Sequence, residues 1–270
     1  MDHPYQLLVV DVDGTLLHQR IISLENTKAL TKLCDSGIKL ALSTGRALGA
    51  CRDIINHLSL TGYHIFFDGA LVANSQAEEV YVQFLNPTTV KQAIDFAHVE
   101  GIDIDLYSVD SYFVERETWS ATAHRDFFNI EPKMVDFDDI WEQEKIVKIG
   151  LVVISSEERI RVQGFCSHFS GICHFSWART PMYNNSAFIN VVAPGVSKGR
   201  ALQVLSAYLG ISSGEAIAIG DGINDIPLFK EAGLAVAMAN APDEVKAVAD
   251  FITLDVADNG LAAVIDKFLL

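Results

Sequence analysis

The stretch Leu7-Leu8-Val9-Val10-Asp11-Val12-Asp13-Gly14-Thr15 decides the fold. Its apolar residues, all Leu or Val, run into two carboxylates and a glycine. An unbroken apolar run of this length, bounded by turn chemistry, reads as a strand covered on both faces in a parallel sheet. Such sheets bind ligands beyond the carboxyl ends of their strands, which is where Asp11 and Asp13 fall. Two bare carboxylates are costly to bury unless a cation or hydrogen-bond donors meet them. An oxygen-seeking cation such as Mg2+ answers that need.

C-terminal to this run, Ser23 to Cys34 carries Leu24, Ala29, Leu30 and Leu33 behind a good N-cap, and predicts a helix closed by Gly37. Ile38 to Ser43 is a second apolar run, ending in Thr44-Gly45-Arg46, so a hydroxyl and a basic residue reach the same sheet edge. Ala47 to Leu58 reads as a helix, and Ile65-Phe66-Phe67 as a third strand ending in Asp68-Gly69-Ala70. Leu71 to Ala73 and Val80 to Phe84 read as a hairpin.

From Thr88 the texture changes. A helix over Val90 to Val99, alternating strands, an aromatic-rich segment through Trp119 and Phe128, and further mixed elements predict an α+β insert. Phe188 to Val192 resumes the first texture. The loop Ser197-Lys198-Gly199, a helix ending at Gly210, and the strand Ala216 to Ile219 leading into Gly220-Asp221-Gly222-Ile223-Asn224-Asp225 then continue an α/β series. The expected organisation is one α/β domain with a Rossmann-like parallel sheet, residues 1–83 and 186–270, interrupted by an α+β domain, residues 84–185.

With 270 residues and 50% hydrophobic content, the chain can bury a sizeable core. A net charge of -15 and a pI near 4.8 argue against an electrostatic grip on nucleic acid or an anionic membrane. No basic N-terminal segment precedes an apolar block, and no stretch approaches the roughly 18 apolar residues of a membrane span. A cytoplasmic protein is expected, as a monomer or homodimer. The cysteines Cys34, Cys51, Cys166 and Cys173 form no CxxC pair and read as buried thiols.

The polar clusters at Asp11/Asp13, Ser43/Thr44/Gly45, Ser197/Lys198/Gly199 and Asp221/Asn224/Asp225 follow strands or begin helices, so parallel strands bring them to one edge. Three acids suit Mg2+, while Thr44, Lys198 and backbone amides suit an anion. That pairing fits a phosphate ester. One carboxylate can attack phosphorus, and a second can protonate the leaving oxygen and later activate water.

The segments Asp11-Val12-Asp13-Gly14-Thr15, Ser43-Thr44-Gly45-Arg46, Lys198-Gly199 and Gly220-Asp221-Gly222-Ile223-Asn224-Asp225 resemble, in order, the four motifs of the haloacid dehalogenase superfamily. The long insert between the second and third resembles its Cof-type phosphatases, which carry a type IIB α+β cap. The resemblance implies that Asp11 is the nucleophile and a Mg2+ ligand. It implies that Asp13 is the general acid/base, with its main-chain carbonyl on Mg2+. It further implies that Thr44, Gly45, Lys198 and Asn224 bind phosphate, that Asp221 binds Mg2+ and that Asp225 supports the metal shell. Asp68 stands where the family usually has Asn, so no role carries over to it. Asp68, Arg46, Arg179 and Tyr183 are candidate substrate residues. The expected activity is Mg2+-dependent hydrolysis of small phosphomonoesters, with sugar phosphates foremost, through an aspartyl-phosphate. A phosphomannomutase-like phosphotransferase and a phosphosugar-binding regulator are the alternatives.

Overall fold

β1 (Leu7–Asp11) is buried along its whole length inside an eight-stranded sheet. The computed structural model describes residues 4–178 and 186–270, so Arg179 and Tyr183 lie outside the described residues. α1 (Leu24–Asp35) follows, started by Ser23, whose Oγ accepts the Asn26 N–H at 3.0 Å. β2 (Lys39–Ser43), α2 (Arg52–His57), β3 (Tyr63–Phe66), β4 (Leu71–Asn74) and β5 (Glu79–Val82) come next. The helix expected over 47–58 is two pieces, a 3-10 turn at Leu48–Cys51 and then α2.

The second stretch holds α3 (Pro87–Glu100), β6 (Ile104–Tyr107), β7 (Tyr112–Val114), α4 (Trp119–Phe128), β8 (Lys133–Met134), α5 (Phe137–Ile140), β9 (Lys148–Val153), α6 (Ser156–His168), β10 (His174–Ala178) and β11 (Ala187–Val192). The chain then returns through α7 (Lys198–Leu209), β12 (Ala216–Gly220), α8 (Ile226–Glu231), β13 (Leu234–Ala237), α9 (Asp243–Lys246), β14 (Phe251–Ile252) and α10 (Gly260–Phe268).

Two compact units result. The first comprises residues 1–44, 53–81 and 197–270, and the second residues 45–52 and 82–196. In the first, the strand order is β14-β13-β12-β1-β2-β3-β4-β5, parallel from β14 to β3 and antiparallel between β3 and β4. The chain runs outward from β1 to β3 and restarts on the other side with β12. The switch point therefore lies between β1 and β12, where open α/β sheets form their ligand crevice. Leu7 and Val9 point into a layer with Ala201, Leu202, Leu205, Ala218 and Leu228, all buried. Burying each such Leu or Val contributes about 1.5–3 kcal/mol, so the strand that carries Asp11 is firmly anchored. α7 is capped by Ser197 and ends at Gly210, whose φ of 69° suits the left-handed C-cap.

The second unit is a six-stranded sheet in the order β10-β11-β9-β6-β7-β8, antiparallel except for β7 with β8. Ala187–Val192, read from sequence as the return to the first domain, instead pairs with β9 and β10 in this sheet. Its apolar pattern fits either sheet, and only the pairing partners distinguish them. Residues 45–52 also join this unit: Arg46 lies 4.8 Å from the centre of the Phe128 ring, and Lys148 Nζ lies 3.5 Å from the Gly45 carbonyl oxygen. The cysteines depart from the sequence reading at Cys34, which is exposed, and at Cys166, which is partly so; Cys51 and Cys173 are buried. No helix among the described residues is long and apolar enough to cross a membrane.

Candidate active site

Asp11 ends β1, in register with Ser43 at the end of β2, and both are buried. Lys198 is the first residue of α7. A lysine at a helix N-terminus is opposed by the helix dipole, but here Nζ lies 2.5 Å from Asp11 Oδ1 and 2.6 Å from Asp225 Oδ1. Burial alone would lower the Lys198 pKa, yet Asp11, Asp225 and Asp68 hold it above its ordinary range. The ammonium is a fixed positive charge.

Asp225 is fully enclosed. Its Oδ1 accepts from Lys198, and its Oδ2 accepts the N–H groups of Asp221 at 3.0 Å and Gly222 at 2.8 Å. Gly220 makes this possible, because a Cβ there would lie 2.3 Å from Asp225 Oδ2. Asp221 is held from another direction, where Thr15 Oγ1 donates to its Oδ1 at 2.8 Å. Asp13, two residues beyond Asp11, is exposed on the loop after β1.

Thr44 is buried at the end of β2, with its N–H donating to Ile65 O and its carbonyl accepting from Asp68 N–H. Asp68 is buried and accepts from Asn224 Nδ2 at 2.8 Å. The first unit therefore gathers Asp11, Lys198, Asp221 and Asp225, and joins Asp68 to Asn224. Gly45 follows Thr44 directly in the chain, whereas Arg46 stacks on Phe128.

Asp11, Asp221 and Asp225 each offer a carboxylate oxygen, and these lie within 4.8 Å of one another. Burial pushes the Asp11 carboxyl well above the usual range, with Lys198 opposing it and Asp225 and Asp221 adding to it. Burial, with Asp225 beside it, pushes Asp221 up to about 7. Buried acids that repel one another, with oxygen donors only, fit a hard divalent cation. Asp11 and Asp221 are suited to bind it directly, because Asp225 is fully enclosed, with one oxygen on the Lys198 ammonium and the other on two main-chain N–H groups, whereas Asp221 is partly open.

The family model of haloacid dehalogenase-like hydrolases matches residues 8–265. The chain belongs to this family. This hydrolase is 28% identical over 272 residues to the 5-amino-6-(5-phospho-D-ribitylamino)uracil phosphatase YcsE of Bacillus subtilis, covering 100% of this chain and 98% of the relative. A haloacid dehalogenase-like hydrolase from Bacteroides thetaiotaomicron superposes with a TM-score of 0.85 at 27% identity, covering 97% of this chain and 99% of the other. A subclass IIB sugar phosphatase shares the fold, with a TM-score of 0.81 at 22% identity, covering 97% and 98% of the two chains.

One residue beside these acids escaped the sequence reading. Asn240 Nδ2 donates to Gly14 O at 2.9 Å and lies 3.4 Å from Asp221 Oδ2, while its Oδ1 accepts from Val256 N–H at 3.0 Å. It ties the loop after β1 to the loop after β13. The available signal was positional: Asn240 follows an apolar parallel strand, at the same edge as the acids.

Proposed function

We propose that this hydrolase is a Mg2+-dependent phosphatase of small phosphomonoesters, acting through an aspartyl-phosphate on Asp11. The observation that carries the reading is the buried Lys198 ammonium between Asp11 and Asp225, with Asp221 completing a set of carboxylates close enough to share a cation. In this reading an Asp11 carboxylate oxygen attacks phosphorus. The bond from phosphorus to the ester oxygen breaks, and Asp13 gives that oxygen a proton. Asp13, now a carboxylate, takes a proton from water, whose oxygen attacks phosphorus and releases phosphate and free Asp11.

Lys198, Thr44 and Asn224 orient the phosphoryl group and spread its charge, which is most of what a protein supplies in such a transfer. Asp11 and Asp221, with the Asp13 main-chain carbonyl, would hold Mg2+ while Asp225 keeps Asp221 and Lys198 in place. When bound, Mg2+ neutralises phosphoryl oxygens and favours ionised Asp11.

The phosphatase named for a phosphorylated ribityl compound and the sugar phosphatase that shares the fold support a phosphorylated sugar or polyol as the substrate class. The test is a screen of phosphate esters with Mg2+, measuring free phosphate. Turnover by the wild type and none by a folded Asp11→Asn variant is expected; retained turnover in that variant sinks the mechanism. Release of phosphate without an isomerised sugar phosphate separates hydrolysis from mutase chemistry.

A further inference from the structure

The turn after β3 holds an unusual backbone. Phe67, Asp68 and Gly69 all have positive φ, at 51°, 55° and 106°, a region costly for a phenylalanine. Such conformations persist where surrounding contacts over-determine them. Asp68 N–H donates to Thr44 O at 3.0 Å, and a Cβ on Gly69 would lie 2.2 Å from Ser197 O. The turn is therefore fitted between the end of β2 and the start of α7. Within this turn Asp68 is only 2% exposed, with Oδ1 accepting from Asn224 Nδ2 at 2.8 Å.

A carboxamide has two different ends: its nitrogen carries two N–H donors and its oxygen only accepts. A carboxylate neighbour also only accepts, so Asp68 selects the nitrogen end of Asn224. One N–H is used by Asp68. The other has no acceptor among the described residues, and Asn224 is partly exposed.

We propose that Asp68 is a positioning residue, fixing the Asn224 carboxamide so that its second N–H is presented to the phosphoryl group of a bound ester. The inference rests on the phosphatase reading above. It also gives this chain's extra buried acid a task other than contacting the substrate.

Asp68→Gly removes the acceptor and keeps a residue that adopts positive φ freely, while Asp68→Asn retains a carbonyl acceptor and serves as rescue. With p-nitrophenyl phosphate at saturating Mg2+, Asp68→Gly is expected to raise KM and the inhibition constant of inorganic phosphate together, by about 10-fold or more. Its kcat should change less, and Asp68→Asn should stay within about 3-fold of wild type. In an Asn224→Ala background, Asp68→Gly should add no further loss, because nothing remains to be positioned. Equal losses in both backgrounds overturn the proposal. So does a change confined to the Mg2+ concentration needed for half-activity, which would place Asp68 in the cation site. Inorganic phosphate binding, followed by calorimetry with Mg2+, repeats the cycle without turnover. A wild type that shows the coupling in phosphate binding yet hydrolyses no ester sinks the phosphatase reading alone; one that neither binds nor hydrolyses overturns both.

Discussion

Lys198 and Asp11, 187 positions apart in the chain, meet at 2.5 Å in the buried interior of the first unit. One ammonium there offsets acids from β1 and from the loop after β12. Replacing it by the similarly long Met leaves those acids without their counter-charge, and breaking a buried pair costs about 3–5 kcal/mol. Lys198→Met is therefore expected to lower the urea midpoint strongly in metal-free buffer and to abolish ester turnover. Added Mg2+ should raise the midpoint of the variant more than that of wild type, because a cation that binds the folded acids stabilises by mass action. An equal Mg2+ increment in both proteins would show that the cation does not meet the acids Lys198 faces.

Asp11 and Asp13 differ in environment, one buried at the strand tip and the other exposed in the loop. The proposed division of labour makes Asp13 dispensable for forming the acyl phosphate when the leaving group needs no proton. With p-nitrophenyl phosphate, Asp13→Ala should release one equivalent of p-nitrophenol and then stall. Intact mass spectrometry should find the protein heavier by one phosphoryl group, and Asp11→Asn should remain unmodified. A burst without protein modification would rule out Asp11 as the nucleophile.

Much of the first unit was legible because local and global signals agree there. The apolar run Leu7 to Val10 is a buried central strand, Ser23 caps α1, and Gly210 ends α7. The convergence of Asp11, Lys198, Asp221 and Asp225 followed from parallel strands sharing an edge. What sequence did not show is what depends on pairing partners or on backbone strain. The strand Ala187–Val192 has the same apolar pattern in either sheet, and its place beside β9 is a matter of register alone. The positive φ values of Phe67 and Asp68 contradict residue preference for the first and are permitted for the second, so the inward aim of Asp68 was not readable. Arg46 follows the Thr44 motif in the chain but stacks on Phe128, a contact from a distant helix.

Gly14 follows Asp13 on the loop after β1 and packs against the metal-binding candidate Asp221. Its φ is 87°, and a Cβ there would lie 2.3 Å from Asp221 Oδ2. Gly14→Ala therefore strains the backbone and drives Asp221 from the position that Thr15 and Asn240 give it. The expected outcome is a higher Mg2+ concentration for half-activity, with activity partly restored at high Mg2+. Thr15→Val, which removes the 2.8 Å donor to Asp221 without adding bulk at Gly14, should move the Mg2+ requirement in the same direction. An unchanged Mg2+ titration in both variants would remove Asp221 from the metal site.

His64 gives the first unit a pH dependence that can be isolated. The ring is buried in β3, where Nδ1 accepts the Leu42 N–H at 3.2 Å and Nε2 has no partner among the described residues. Burial lowers its pKa to about 4, against about 6.5 in the unfolded chain. Between these values the unfolded state binds the extra proton, so stability contributed at neutral pH is lost as pH falls from about 6.5 towards 4. The loss by pH 4.5 is about 2–3 kcal/mol. Other groups titrate over the same range, so the measurement is a difference. His64→Gln keeps an acceptor for Leu42 and carries no proton equilibrium. Urea unfolding of wild type and variant at pH 7.5 and 4.5 should show wild type losing about 2–3 kcal/mol more than the variant. A gap that stays constant between the two pH values would mean that His64 takes up its proton in the folded state without cost, which the closed environment beside Leu42 and Phe66 does not allow.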